Sequence, residues 1–227
     1  MSAVTLVRLA RVDSTQAFLE RHPELGVCAV LAGAQTAGRG QRDNRWESAP
    51  GAGLWLSARI PAPDLPPGLV LQRAMAGVAE ALEPWGVPLG LKWPNDLVAW
   101  LDNRLVKLGG ILGRSKGDCA LLGVGVNLGS APVIPERPIP PACLADLLPR
   151  GAALPDPEPL AQAILEAWED LDVHREPAFL WPGPGDPIRW EEGEGVCAGW
   201  LEDGRLEVRT AQGVLQLVAG DVSGLKA

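Results

Sequence analysis

Two apolar stretches, residues 27–32 and 54–60, read as strands, and the segment 35–46 between them follows neither a helical nor a strand period. The chain must therefore build a sheet in which two strands are joined across a long irregular loop, a place where functional residues commonly lie. The loop runs Gln35-Thr36-Ala37-Gly38-Arg39-Gly40-Gln41-Arg42-Asp43-Asn44-Arg45-Trp46. Its glycines let backbone N–H groups approach a ligand closely, and its arginines offer planar donors that match phosphate or carboxylate oxygens. Taken alone, the segment fits an anion-binding loop and a solvated Gly/Arg surface loop equally well.

The net charge of −8 removes one class of explanation. A general nucleic-acid or anionic-membrane surface needs a basic face, so any anion site here must be a local concentration of Arg and Lys. With 227 residues the chain can bury a real core, as one large domain or one large and one small. The N-terminus lacks a basic start followed by a long apolar run, so no secretory signal is expected. No apolar stretch reaches the roughly 18–20 residues of a membrane span, and the cytoplasm is expected from the cysteines, which read as reduced. Cys28, Cys119, Cys143 and Cys197 are scattered through apolar settings without metal-like spacing and read as buried free thiols. His22 and His174 are isolated, which gives neither a metal site nor a triad.

Along the chain, residues 3–12 alternate as a strand, and Asp13-Ser14-Thr15-Gln16 reads as a capping box with Asp13 at the N-cap of a helix over 14–21. Residues 61–67 form a proline-rich connection to an amphipathic helix over 68–85. A short strand at 89–93 ends at Pro94, presenting Lys92-Trp93-Pro94-Asn95-Asp96. Asp96 beside an anion-binding loop is a natural Mg²⁺ ligand, because that ion takes oxygen donors and shares itself with phosphates. Residues 97–100 and 104–106 pair as a hairpin across Asp102-Asn103. The second arm continues into Lys107-Leu108-Gly109-Gly110-Ile111-Leu112, where a lysine in an apolar strand implies an anionic partner or a snorkelling edge position. The most apolar strand, 120–128, has Gly123 and Gly125 on one face and ends on Asn127, as close approach of a ligand or backbone requires. Helices follow at 142–148 and from 159 to about 173, separated from that strand by a Pro-rich loop at 132–141. From about residue 183 short β runs (187–190, 195–201, 205–210, 214–218) with turns at 202–204 and 212–213 indicate a small SH3-like β-barrel. Its small core should lean on the main domain.

The order of these pieces resembles the biotin protein ligases over nearly the full chain. The resemblance is carried by Asp13-Ser14-Thr15, Gln35 with Gly38-Arg39-Gly40, Trp46, Lys92-Trp93-Pro94-Asn95-Asp96, Lys107-Leu108-Gly109-Gly110-Ile111-Leu112 and Gly123-Val124-Gly125-Val126-Asn127. It implies an α+β fold: a mixed sheet flanked by helices, like the class II synthetase catalytic domain, over 1–182, and an SH3-like C-terminal domain over 183–227. It implies the form without an N-terminal DNA-binding domain. It also implies two half-reactions, formation of biotinyl-5′-AMP from biotin and ATP with Mg²⁺, then transfer of biotin to a lysine of a biotin carboxyl carrier protein, by a monomer or homodimer.

By the same resemblance Lys107, Arg39 and Asp96 would be catalytic, Asp96 through Mg²⁺. Ser14, Thr15, Gln16, Gln35, Arg39, Gly40, Gln41, Lys107, Gly109 and Gly110 would bind biotin, and Arg39, Arg42, Trp46, Lys92, Asn95, Asp96 and Asn127 would bind the nucleotide. Neutral polar side chains suit the ureido ring, and Lys107 suits charge that grows at the acyl phosphate. The chain departs from the commonest pattern at Gln16 (often Asn), Gln41 (often Arg), Asp43-Asn44 (often Gly-Arg) and Ala49-Pro50-Gly51, which makes the loop less basic and its hold on an adenylate weaker. The rival readings are a lipoate- or octanoate-transferring ligase and a non-catalytic biotin-binding regulator. Retention of both Lys107 and Asp96 argues against the second.

Overall fold

The computed structural model describes residues 4–61, 64–116 and 118–224. Ala3 of the expected first strand and residues 62–63 of the proline-rich connection lie outside them. The strands of the main sheet are β1 (Thr5–Leu9), β2 (Cys28–Ala32), β5 (Gly53–Pro61), β6 (Gly90–Lys92), β7 (Asp96–Leu101), β8 (Arg104–Lys116), β9 (Cys119–Asn127) and β10 (Phe179–Trp181). Between β2 and β5 a separate two-stranded ribbon is made by β3 (Gln35–Arg39) and β4 (Arg45–Ser48). The sheet order is β1-β2-β5-β9-β8-β7-β6-β10, parallel at its two outermost pairs and antiparallel elsewhere, so the sheet is mixed.

Helices cover both faces, which is why the central strands are buried at nearly every position. On one face α2 (Pro67–Ala81) and α4 (Pro157–Glu169) pack on Ala29, Leu54, Leu56, Ile111, Leu122, Val124 and Val126. On the other, α1 (Thr15–Arg21) covers a smaller cluster of Leu19, Cys28, Val30 and Leu121. Alternation along β2 sorts Ala29 and Leu31 to the first face and Cys28 and Val30 to the second. The second face carries the polar interruptions: Ser57 in β5, Gly123 and Gly125 in β9. Arg59, only 8% exposed, donates there to the carbonyls of Leu19, His22 and Gly26 and closes the C-terminal end of α1.

Several expectations need correction. The N-cap of α1 is Ser14, not Asp13: Ala17 N donates to Ser14 Oγ at 3.4 Å, while Asp13 turns to Arg21. Gln16 therefore closes no capping box and lies buried, facing the site. The amphipathic helix stops at Ala81 and a 3₁₀ turn (Glu83–Trp85) completes it around Pro84. The helix expected over 142–148 shrinks to α3 (Leu144–Leu147), because Ala142 N is engaged by the Lys107 carbonyl at 2.9 Å and Pro149 follows. The hairpin forms as expected, with Asp102 and Asn103 at φ 49° and 61°, the left-handed pair of a type I′ turn. Cys28, Cys143 and Cys197 are buried and unpaired, and Cys119 is half-buried. None of the described helices is long and apolar enough to cross a membrane.

The C-terminal segment forms a five-stranded antiparallel sheet from β11 (Pro187–Trp190), β12 (Gly193–Trp200), β13 (Leu206–Thr210), β14 (Gly213–Leu217) and β15 (Ser223–Gly224), in the order β14-β13-β12-β11-β15. This is consistent with an SH3-like module, although among the described residues no ladder joins its two edges into a barrel. Its small core of Ile188, Cys197, Leu206, Val208 and Val222 is completed by Trp93, which is fully buried and reaches over from the main sheet. Trp93 Nε1 donates to the Gly204 carbonyl at 3.0 Å, and Gln72 of α2 donates to the same oxygen at 2.9 Å. A side chain on Gly204 would meet the Gly68 backbone at 2.3 Å, so helix and turn touch without one. Trp93→Ala should cost about 3–5 kcal/mol in urea unfolding and unlock this contact; a loss below about 1 kcal/mol would contradict the packing described.

Candidate active site

Lys107 and Asp96 face each other across β8 and β7. Lys107 Nζ lies 2.6 Å from Asp96 Oδ1, and the other carboxylate oxygen lies 3.8 Å from Lys92 Nζ. Lys92, 4% exposed, also donates to Asp221 Oδ1 of the C-terminal module at 2.6 Å. The anionic partner expected for Lys107 is thus Asp96, and a row of alternating charge crosses the sheet face at β8, β7 and β6. Gly110 lies under this row: a Cβ there would make ordinary contact with Asp96 Oδ1 at 3.5 Å and with the Lys107 side chain at 3.6 Å. Lys107 is further fixed by its backbone, which bridges to Pro140 and Ala142, so the Pro-rich 132–141 segment walls the site.

The charge row floors a cavity of about 380 Å³, lined also by Arg39, Gly40, Gln41, Arg42, Asn95 and Asn127. Beside it lies a smaller cavity lined by Ser14, Thr15, Gln16, Gln35, Ser57, Gly123 and Gly125, and Arg39 and Trp46 border both. The smaller one keeps only about 30 Å³, room for a water and no more, because side chains fill it. Trp46 lies on Gly125, where an added Cβ would come within 2.5 Å of the indole Nε1. Lys107 Nζ sits 5.5 Å from the Trp46 ring centroid, within cation–π range. A hydrogen-bond chain organises the rest. Thr15 N and Thr15 Oγ1 reach Gln35 Oε1 at 2.8 and 3.2 Å, Thr15 Oγ1 meets Ser57 Oγ at 2.8 Å, and Gln35 Nε2 donates to Ser48 Oγ at 2.8 Å. Two buried donors lining this cavity, Gln16 Nε2 and Trp46 Nε1, have no partner. Burying such groups unpaired is costly, and a ligand offering acceptors would satisfy them.

Most of the sequence-derived candidates converge on these two cavities, with qualifications. Gly109 does not line either one; its missing Cβ admits the Gly125 carbonyl, a strand-to-strand fit. Asn95 and Asn127 line the larger cavity, but their amides donate to the carbonyls of Ile111 at 2.8 Å and Ala142 at 3.1 Å, which holds the walls together. The loop 35–46 is not irregular throughout: it is the β3–β4 ribbon, turning at Arg42 with φ 52°. Its alternation was masked because a register shift lies between Gln35 and Gly38. Asn44, in place of a commoner arginine, donates to the Gln41 carbonyl at 2.9 Å and shapes that turn. Arg39 is held by Glu20 of α1 at 2.9 Å, and Arg42 by Glu191 of the C-terminal module at 3.5 Å. Glu20, Ser57, Ser48 and Asp221 were not singled out by the sequence. Only Ser57, a hydroxyl amid an apolar strand, left a signal that could have been followed.

The profile of the Biotin/lipoate A/B protein ligase family matches residues 9–129, more than half of the chain. The chain belongs to this family. Among family relatives it is 34% identical over 172 residues to a biotin–[acetyl-CoA-carboxylase] ligase of Mycobacterium tuberculosis, covering 71% of this chain and 61% of that one. It is 35% identical over 112 residues to the bifunctional ligase/repressor BirA of Bacillus subtilis, covering 45% of this chain and 33% of the relative. It therefore spans between a third and three-fifths of these curated relatives. Among solved structures, the biotin protein ligase of Aquifex aeolicus in complex with biotin and ATP superposes with a TM-score of 0.76 at 25% identity, covering 98% of this chain and 99% of that one. The Leishmania major biotin protein ligase in complex with biotinyl-5-AMP does so with a TM-score of 0.60 at 25% identity, covering 95% and 99%.

The Asp13-Ser14-Thr15 piece of the family pattern also has a stability role. Arg21 donates to both Asp13 oxygens at 2.7 Å and, chiefly through these bonds, holds the Asp13 carboxyl at about 2. A carboxyl depressed below its ordinary value stabilises the fold above about pH 4, and that contribution is lost as pH falls toward 2. Asp13→Asn should therefore flatten the fall in thermal stability between about pH 4 and pH 2. An unchanged slope would remove the pair from the account. The effect should be small, since both side chains are about half exposed.

Proposed function

We propose that this protein is a biotin protein ligase: it activates biotin with ATP to biotinyl-5′-AMP and transfers the biotinyl group to a lysine of a biotin carboxyl carrier protein. The observation that carries the reading is the junction of two cavities at Arg39 and Trp46, with Lys107 in the larger one beside the Trp46 ring. One presents neutral donors, two of them unpartnered, suited to a ureido ring; the other presents Lys107, Lys92, Arg39 and Arg42 to anionic oxygens. The relatives and solved structures that carry biotin, ATP or biotinyl-5-AMP in their names support the same assignment.

On this reading Thr15, Gln16, Gln35 and Trp46 hold the ureido ring, with Ser14 capping the helix that carries Thr15 and Gln16. Trp46 leaves its seat on Gly125 to admit the ring, and the β3–β4 ribbon closes over the adenylate through Arg39, Gly40 and Gln41. Lys107 positions the biotin carboxylate for attack on the α-phosphorus of ATP. The bond from that phosphorus to the bridging oxygen breaks and pyrophosphate leaves. The same ammonium then polarises the acyl phosphate while the carrier lysine attacks the acyl carbon and AMP departs. This is catalysis by positioning and charge, with no covalent protein intermediate.

Asp96 suits Mg²⁺ only as a shared ligand. It is one carboxylate, already half neutralised by lysine, and no group of three metal-binding side chains occurs among the described residues. That donor set fits an ion that arrives with the triphosphate and takes most of its oxygens from it. Asn95 and Asn127 shape the nucleotide wall, and Gln41 in place of arginine weakens the hold on the intermediate. Residues 1–182 form the catalytic domain and 183–227 the C-terminal domain. Four unpaired cysteines fit a reducing cytoplasm.

The test is pyrophosphate and AMP formation with biotin or lipoate as the acid. The reading predicts turnover with biotin and little with lipoate; the reverse would assign the chain to the other branch of its family. Lys107→Ala should lower biotinyl-adenylate formation on the order of 100-fold, and a near-normal rate would remove Lys107 from the role given to it.

A further inference from the structure

Lys92 is the most deeply buried cation of the site, and its closest partner comes from outside the main sheet. Asp221 lies in the C-terminal module just before Val222, which is 1% exposed in that module's small core. The anchored backbone aims the Asp221 carboxylate into the larger cavity, where Asp221, Val222 and Ser223 form part of the wall. Asp96 cannot fully replace it: that carboxylate is committed to Lys107 at 2.6 Å and stands 3.8 Å from Lys92. Two lysines and two aspartates thus balance to zero, and Lys92 depends on Asp221 for its neutralisation. The Lys92 side chain is 4% exposed and that of Asp221 is 64% exposed, so the anion can move away while the cation stays. Burial alone would raise the Asp221 carboxyl, but Lys92, with Lys107 and Arg42 behind it, holds it below the usual range and therefore ionised.

From this geometry we infer that Asp221 is a positioning residue of the nucleotide site: it is the resident counter-anion of Lys92, and an incoming polyphosphate exchanges for it. This rests on the reading of the larger cavity as the nucleotide site. Nucleotide binding is then an anion exchange, and it loosens the C-terminal module from Lys92. The exchange has a sign. Asp221 competes with the phosphates for one ammonium and also repels them, so it lowers affinity while keeping Lys92 in place before substrate arrives.

The experiment measures binding of inorganic pyrophosphate and of ATP to the full chain by calorimetry, without biotin, for the natural protein, Asp221→Asn and Asp221→Glu. Asp221→Asn should bind both about fivefold more tightly, near the upper end for an ion pair whose anion is solvent-exposed, and lower the KM for ATP while leaving the kcat of adenylation within about twofold. Asp221→Glu, which keeps the charge, should restore natural behaviour. Equal or weaker binding by a folded Asp221→Asn, or the same change in both variants, would overturn the inference. If Asp221→Asn does not fold, amide exchange in the natural protein decides: residues 219–223 should exchange faster when pyrophosphate binds, and unchanged exchange would overturn it. Turnover with lipoate instead of biotin would defeat the biotin reading without touching this result. Failure of the natural protein to bind either polyphosphate would defeat the nucleotide-site reading itself.

Discussion

The rest of the site depends on a half-buried ammonium that cannot stand alone. Lys107 emerges from an apolar strand, and isolated charge there would be costly, so the fold brings Asp96 of the neighbouring β7 to it, at 2.6 Å. Asp96 then leaves a second oxygen for Lys92, and Lys92 in turn requires Asp221. Each cation assigned to an anionic ligand is already paired within the protein, and Arg39 follows the same rule through Glu20. Such a site is close to neutral when empty. On the proposed reading ligand binding is an exchange of partners, which would let a chain of net charge −8 hold an anionic intermediate.

The second constraint is steric. The face that carries the charge row is opened by Gly123 and Gly125 on β9 and roofed by α1 and the β3–β4 ribbon. At Gly125 the indole of Trp46 occupies the space that a side chain would take. A two-stranded ribbon with little core of its own is marginally stable, so Trp46 can leave at low cost. The same economy joins the two modules. One short run divides its labour: Lys92 and Asp96 point into the site, while Trp93 crosses to fill the core of the C-terminal sheet.

Much of this was legible in the sequence because local chemistry decided it. The two strands about the loop, the Asp102-Asn103 turn and the glycines of β9 follow from residue type and spacing, whereas the joining of Lys107 and Asp96 in one site came with the family resemblance. What stayed hidden came from contacts distant in sequence. Nothing near Asp13 says that Arg21 will take its carboxylate and leave the cap to Ser14. Nothing near Lys92 says that its counter-ion is Asp221, whose place depends on how the C-terminal sheet docks. The ribbon escaped notice because its register shift breaks the alternation by which strands are read, and β10 because three residues are too few to show a period.

The central claim is that the two cavities serve one acyl transfer ending on a carrier lysine. Mass spectrometry of a biotin carboxyl carrier domain incubated with this protein, biotin and MgATP tests it most directly. The account predicts one added biotinyl group on a single lysine, dependent on ATP and abolished or strongly slowed by Lys107→Ala. Pyrophosphate release with no acyl group on any carrier lysine, or labelling that persists at the natural rate without Lys107, would contradict it.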